Sequence, residues 1–204
     1  EAGGLAYWVA AIRECFEEAG VLLARRVDDH ELVRFDDPSV ADRFNVARAE
    51  VDAGNLSLSE LCEREGLRLI VDRLHLVDHW ITPLGERRRF DTRFFVTRAP
   101  EAQEPLHDDG ETIASLWVRP ADALQRWRDG ELQMFPPTVA SLDFLAHHDD
   151  AAAAMAAAAS VGVPAPILPK IVFDDGGKIS GVLRPGEAGY ETASVPEFVL
   201  SAPR

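Results

Sequence analysis

Arg13-Glu14-Cys15-Phe16-Glu17-Glu18-Ala19-Gly20-Val21-Leu22-Leu23 is the stretch whose reading decides the fold. Apolar side chains at Trp8, Ile12, Cys15, Phe16 and Ala19 recur at the spacing of a buried helical stripe. At about 100° per residue, Glu14, Glu17 and Glu18 then fall together on the opposite face. Like charges at such spacing weaken a helix by a few tenths of a kcal/mol. Gly20 supplies the left-handed residue that ends the helix, and Val21-Leu22-Leu23 predicts the start of a buried strand. Clustered carboxylates on a rigid helix suit a hard divalent cation such as Mg²⁺ or Mn²⁺. The alternative reading of the same residues is a solvated acidic face.

Working outward, 204 residues suit one domain with additions, and 47% hydrophobic content is enough for a sizeable core. A net charge of −14 argues against a general nucleic-acid or membrane-surface binder, since both need a positive footprint. Two cysteines, Cys15 and Cys62, give neither a disulfide framework nor a zinc spacing, so a reducing compartment, the cytoplasm, is expected. No apolar run is long enough to span a bilayer.

After the opening helix, Arg25-Arg26 and Asp28-Asp29 mark a turn, and Pro38-Ser39 opens a helix that ends at Gly54-Asn55. Ser57 with Glu60 forms a capping box for a short helix that stops at Gly66. These two helices read as an insert between sheet strands, about 38–66. Leu69–Thr82 reads as a strand broken near Asp72, and Arg89–Thr97 as an alternating strand. Arg87, Arg88, Arg89 and Arg93 make the densest basic patch of an acidic chain. Planar guanidinium forks at Arg89 or Arg93 suit a substrate phosphate, whereas the plainer reading pairs them with local acids. Thr112–Val118 reads as a strand containing Trp117, followed by a helix from Pro120 to Arg128. Pro136-Pro137 opens a further helix. His147-His148-Asp149-Asp150 suggests a metal site, but adjacent helical histidines point in different directions, so a joint between helices is expected. An alanine helix follows at 151–159. Ile167–Phe173 and Lys178–Leu183 flank the hairpin signal Asp174-Asp175-Gly176-Gly177. Arg184–Tyr190 matches a phosphate-cradling loop only weakly.

The pattern Arg13-Glu14, two residues, Glu17-Glu18, one residue, Gly20 and aliphatics resembles the second half of the Nudix box, the motif of Nudix hydrolases. Ala10-Ala11-Ile12-Arg13-Glu14-Cys15-Phe16-Glu17-Glu18-Ala19-Gly20-Val21-Leu22-Leu23, together with Arg88-Arg89-Phe90-Asp91-Thr92-Arg93-Phe94-Phe95, resembles the peroxisomal-type coenzyme A diphosphatase branch. The first half of the box is absent. Its earlier Glu falls at Leu5, which the periodicity places on the apolar side, and its leading Gly would precede Glu1. Two explanations stand: the first strands and glycine loop precede the sequence given, or an insertion separates that loop from the helix.

The resemblance implies an α/β fold, a Nudix-like α/β/α sandwich with a mixed sheet. Residues 1–150 would be the Nudix hydrolase domain and 151–204 a C-terminal helix and hairpin extension. It implies that Glu14, Glu17 and Glu18 hold Mg²⁺ or Mn²⁺ and that Arg13 orients them. It also implies a loop acid serving as base, Glu111, with Asp108 and Asp109 as rivals and one of the helix glutamates as the further alternative, while Arg89 and Arg93 contact substrate. The implied substrate is a small nucleoside diphosphate derivative, coenzyme A or its acyl esters, with ADP-ribose or a dinucleotide as runner-up. A non-catalytic nucleotide- or protein-binding module is the rival class. Nudix proteins are often dimers, so a homodimer is the expected assembly.

Overall fold

A computed structural model describes residues 4–83, 88–106, 116–174 and 176–193. The fold is α/β, and the chain divides into two units, one from 1–75 with 96–123, the other from 76–95 with 124–204.

The first unit opens with α1, Gly4–Ala19, and turns at Gly20, whose φ of +68° lies in the left-handed region that favours glycine. Val21, Leu22 and Leu23 are buried as the sequence suggests, but the strand starts three residues after Val21, in β1, Ala24–Arg26. The reason is Gln103. Its amide accepts the Leu22 N–H at 2.8 Å and donates to the carbonyls of Leu22 at 3.1 Å and Val33 at 2.8 Å, taking the place a strand neighbour would fill.

Next comes α2, Pro38–Asp52, capped by Asp37 accepting from the Ser39 N–H. The capping box of Ser57 and Glu60 starts α3, Leu58–Glu65, and Gly66 at φ +63° ends it. The strand expected over Leu69–Thr82 is broken where Asp72 suggests. β2, Leu67–Leu69, pairs antiparallel with β1, a 3₁₀ turn occupies Val71–Arg73, and β3 runs His75–Ile81. Ile12, Phe16, Leu22, Leu61 and Ile70 are the largest fully buried side chains and form the core of this unit.

In the second unit, β3 is hydrogen-bonded to β4, Asp91–Val96, shorter than the span the alternation suggests. Trp80 of β3 bridges to Ile167 in parallel. Three helices follow, α4 Pro120–Arg128 across the unit boundary, α5 Pro136–Ala146 and α6 Ala151–Ser160. The hairpin is β5, Lys170–Phe173, paired antiparallel with β6, Ile179–Leu183. Asp174 Oδ1 accepts the amides of Gly176 and Lys178, both at 2.9 Å, and closes the turn. Arg184–Tyr190 is tied to its own chain: Lys170 Nζ donates to the Tyr190 carbonyl, and Tyr190 Oη to the Leu168 carbonyl, each at 2.8 Å. Most of the Thr112–Val118 strand lies outside the described residues. The part described, Leu116–Val118, is irregular, with Trp117 79% exposed rather than inside a strand. Among the described residues, no helix is long and apolar enough to cross a membrane.

Replacing Gln103 by Ala strands the amide of Leu22 and the carbonyl of Val33 in the interior, while the Leu22 carbonyl keeps the Ala24 N–H at 3.0 Å. The expected loss is about 2–4 kcal/mol, measured by urea unfolding, with the far-UV spectrum of the folded state unchanged.

Candidate active site

The acids of α1 are not all on one solvated face. The buried sector runs Ile12, Phe16, Glu17, so Glu17, only 9% exposed, belongs to the packed side. The periodicity assumed one contact face, but α1 also packs against α2, whose Arg48 reaches the Glu17 carbonyl. Leu5 is a second correction. It is 63% exposed, so the position of the missing Glu points to solvent and not to the core.

A buried carboxylate needs a cation. Arg13 provides it, donating Nη1 to Glu17 Oε2 and Nη2 to Glu14 Oε1, so one guanidinium gathers two of the three acids. The hydrogen bond to Glu17 is the main reason the Arg13 guanidinium holds its proton even more firmly than usual. Glu18, on the exposed side of the last turn, stands close enough to Cys15 for its charge to act on the thiol. Among the described residues, no three His, Cys, Asp or Glu side chains are gathered to hold a metal.

The end of α1 is capped by a side chain that sequence reading misses. Arg48 of α2 donates Nε–H to the Glu17 carbonyl at 2.9 Å, and its guanidinium lies against Gly20. No local signal in the sequence marks Arg48 for this, because its partner is 31 positions away.

Glu111, Asp108 and Asp109 lie outside the described residues. Arg89 and Arg93 belong to the second unit. Arg89 precedes β4 and donates Nε–H to the Thr82 carbonyl at 3.0 Å. Arg93 Nη1 pairs with Asp91 at 3.1 Å, and that carboxylate also meets His79 Nε2. His147 and His148 form a joint, as expected. His147 Nδ1 bonds the Asp143 carbonyl at 2.6 Å, while the His148 ring meets Phe144 edge-on at 5.2 Å.

An α/β domain whose motif helix carries Arg-Glu, then Glu-Glu, then a left-handed Gly defines a Nudix-type protein, and this chain belongs to the Nudix family. The family model described as NUDT19 Nudix domain matches residues 2–145. Acyl-coenzyme A diphosphatase NUDT19 of Gallus gallus is 31% identical over 150 residues, covering 66% of this chain and 39% of that protein. Its Xenopus laevis counterpart is 28% identical over 155 residues, covering 71% and 40%. The chain thus spans about two fifths of the length of these curated relatives. The crystal structure of a Nudix hydrolase from Alicyclobacillus acidocaldarius superposes with a TM-score of 0.64 at 30% identity, covering 76% of this chain and 68% of that one.

Burial, and then the charge of Glu18, push the Cys15 thiol above its ordinary range, and burial does the same for Cys62. A raised thiol pKa leaves less thiolate at a given pH. Both cysteines are therefore expected to react with iodoacetamide at pH 8 more slowly than free glutathione, and to reach glutathione's rate only after denaturation, as followed by mass spectrometry.

Proposed function

We propose that this chain is the catalytic part of a divalent-metal-dependent pyrophosphohydrolase that cleaves coenzyme A or its acyl esters. The observation that carries the reading is Arg13 holding Glu14 and Glu17 on the helix turn that leads to Glu18. The printed activity of the two curated relatives, acyl-coenzyme A diphosphatase, supports the substrate class. We read 1–150 as the Nudix domain, with 38–66 as its helical insert, and 151–204 as an extension.

Carboxylate oxygens are the donors a hard cation takes, so the chemistry of Glu14, Glu17 and Glu18 suits such an ion, with Glu14 and Glu17 held by Arg13 here. Mg²⁺ or Mn²⁺, bound by Glu14, Glu17 and Glu18, would neutralise pyrophosphate oxygens and acidify the attacking water. The residues do the rest. Arg13 orients Glu14 and Glu17 through charge-assisted hydrogen bonds. Glu111, with Asp108 and Asp109 as rivals, accepts the proton of the water. Water attacks one phosphorus and the bridging P–O bond breaks. The products are two phosphomonoesters, a phosphopantetheine and adenosine 3′,5′-bisphosphate. Arg93, and after it Arg89, are the candidates for contacting substrate phosphate. Cys15 needs no part in this chemistry and lies half-buried in α1. The two free cysteines accord with a reducing compartment such as the cytoplasm, and a homodimer is the assembly we favour.

The test is hydrolysis of coenzyme A, an acyl-coenzyme A, ADP-ribose and NADH by the full-length protein with Mg²⁺ or Mn²⁺. Preference for the coenzyme A compounds is the expected result, and preference for ADP-ribose or NADH would keep the chemistry but overturn the substrate. Glu18→Gln should lower kcat by about 100-fold or more with the fold intact by circular dichroism. The substitution Arg93→Ala should chiefly raise KM. No turnover by folded, metal-loaded protein would favour a binding module, the reading that Leu5 in place of a Glu supports.

A further inference from the structure

The last turn of a helix leaves carbonyls without donors, and in α1 their partners can be followed one by one. Val21 N–H bonds the Cys15 carbonyl at 3.3 Å, Gly20 N–H the Phe16 carbonyl at 3.1 Å, and Leu106 N–H the Ala19 carbonyl at 2.9 Å. None of these backbone donors reaches Glu17. Its carbonyl is taken by Nε–H of Arg48, from the middle of α2. The guanidinium lies close enough to Gly20 that a Cβ there would stand 3.1 Å from Nη1. Nη2 is buried with no hydrogen-bond partner, and no carboxylate among the described residues pairs with Arg48. Arg48 is half-buried, yet its Nη2 is left without a partner, a cost that a brace between two helices built from apolar side chains would avoid. What offsets the cost here is the negative end of the α1 dipole, which favours a cation at this place.

We propose that Arg48 is a positioning residue of the reaction proposed above, on which this inference rests, and that it acts by fixing the turn that carries Glu17 and Glu18. Glu17 is then held at both ends, its carboxylate by Arg13 and its carbonyl by Arg48. Catalytic carboxylates must keep their place within about 0.5 Å. A helix end that frays or rewinds moves both acids together, whereas a helix end pinned from outside keeps them still. The device is supplied by α2, a segment remote in sequence from the motif it serves.

The experiment uses three variants of the full-length protein. Arg48→Met keeps the aliphatic stem and removes the donor. Arg48→Lys keeps a cation with a single donor head. Val51→Ala, at a buried position of the same helix, lowers stability without touching α1's carbonyls. Mn²⁺ binding is read from the resonance of the free ion, kcat and KM from acyl-coenzyme A hydrolysis, and folding from thermal unfolding. Arg48→Met should weaken Mn²⁺ binding and lower kcat, each about 10-fold. Its KM should stay within about twofold of the parent, and Arg48→Lys should fall between the two. Val51→Ala should shift the unfolding midpoint and leave Mn²⁺ binding alone. If Arg48→Met changes only the midpoint, as Val51→Ala does, Arg48 is a structural brace and the proposal is overturned while the enzymatic reading stands. If the parent neither binds Mn²⁺ nor turns over substrate, the enzymatic reading fails first and the positioning role fails with it.

Discussion

Glu17 is an acid on the packed side of a helix, and that one constraint orders the rest of α1. An ionised carboxylate out of water demands a cation and hydrogen bonds, and removing one partner of such a pair costs about 3–5 kcal/mol when burial is complete. Arg13 is partly exposed, at 42% of its side chain, so water screens it and the cost of losing it falls below that range. The pairing nonetheless fixes which way Arg13 points, and with it Glu14. Without Glu17 inside, Arg13 and Glu14 would be one more exposed pair of little energetic consequence.

Several other arginines have that consequence-free character. Arg26 with Asp28, Arg34 with Asp36, Arg126 with Glu131 and Arg184 with Glu187 are exposed pairs between near neighbours in sequence. Such pairs are worth about 0–1 kcal/mol each. In a chain with 35 acids and 21 basic residues many guanidinium groups find an acid nearby, and Arg93 with Asp91 is one more pair of near neighbours, although Arg25 with Asp72 and Arg43 with Glu65 pair across long separations. Arg content therefore says little about phosphate binding in this protein. Arg13 and Arg48 differ because both close on the last turns of the same helix, one from within it and one from outside.

What could be read in the sequence was what neighbours decide. The Ser57–Glu60 box, the Gly66 and Gly20 stops, the break near Asp72 and the Asp174 turn all involve residues within a few positions of one another, where side-chain chemistry and φ preference suffice. The motif acids themselves were legible for the same reason. What escaped was decided across long separations. Gln103 reaches Leu22 across 81 positions from a loop with no pattern, and Arg48 reaches Glu17 across 31. The orientation of Glu17 escaped as well, since helical periodicity finds one apolar stripe and is blind to a second neighbour that buries a charge. Leu5 failed in the opposite sense, apolar and on the stripe yet exposed in the first turn of the helix.

The contact between Arg48 and Gly20 also bears on how such a chain can change over time. A side chain at position 20 is disfavoured for two independent reasons, its positive φ and the guanidinium packed on it. Position 48 in turn caps a carbonyl that the motif helix cannot satisfy by itself. A helical segment with such a bond is not a cassette. Shortening it, exchanging it for the corresponding loop of a smaller relative, or grafting this motif helix into another framework would leave the carbonyl bare. Segment 38–52 and the motif are therefore best moved as one piece when the fold is engineered.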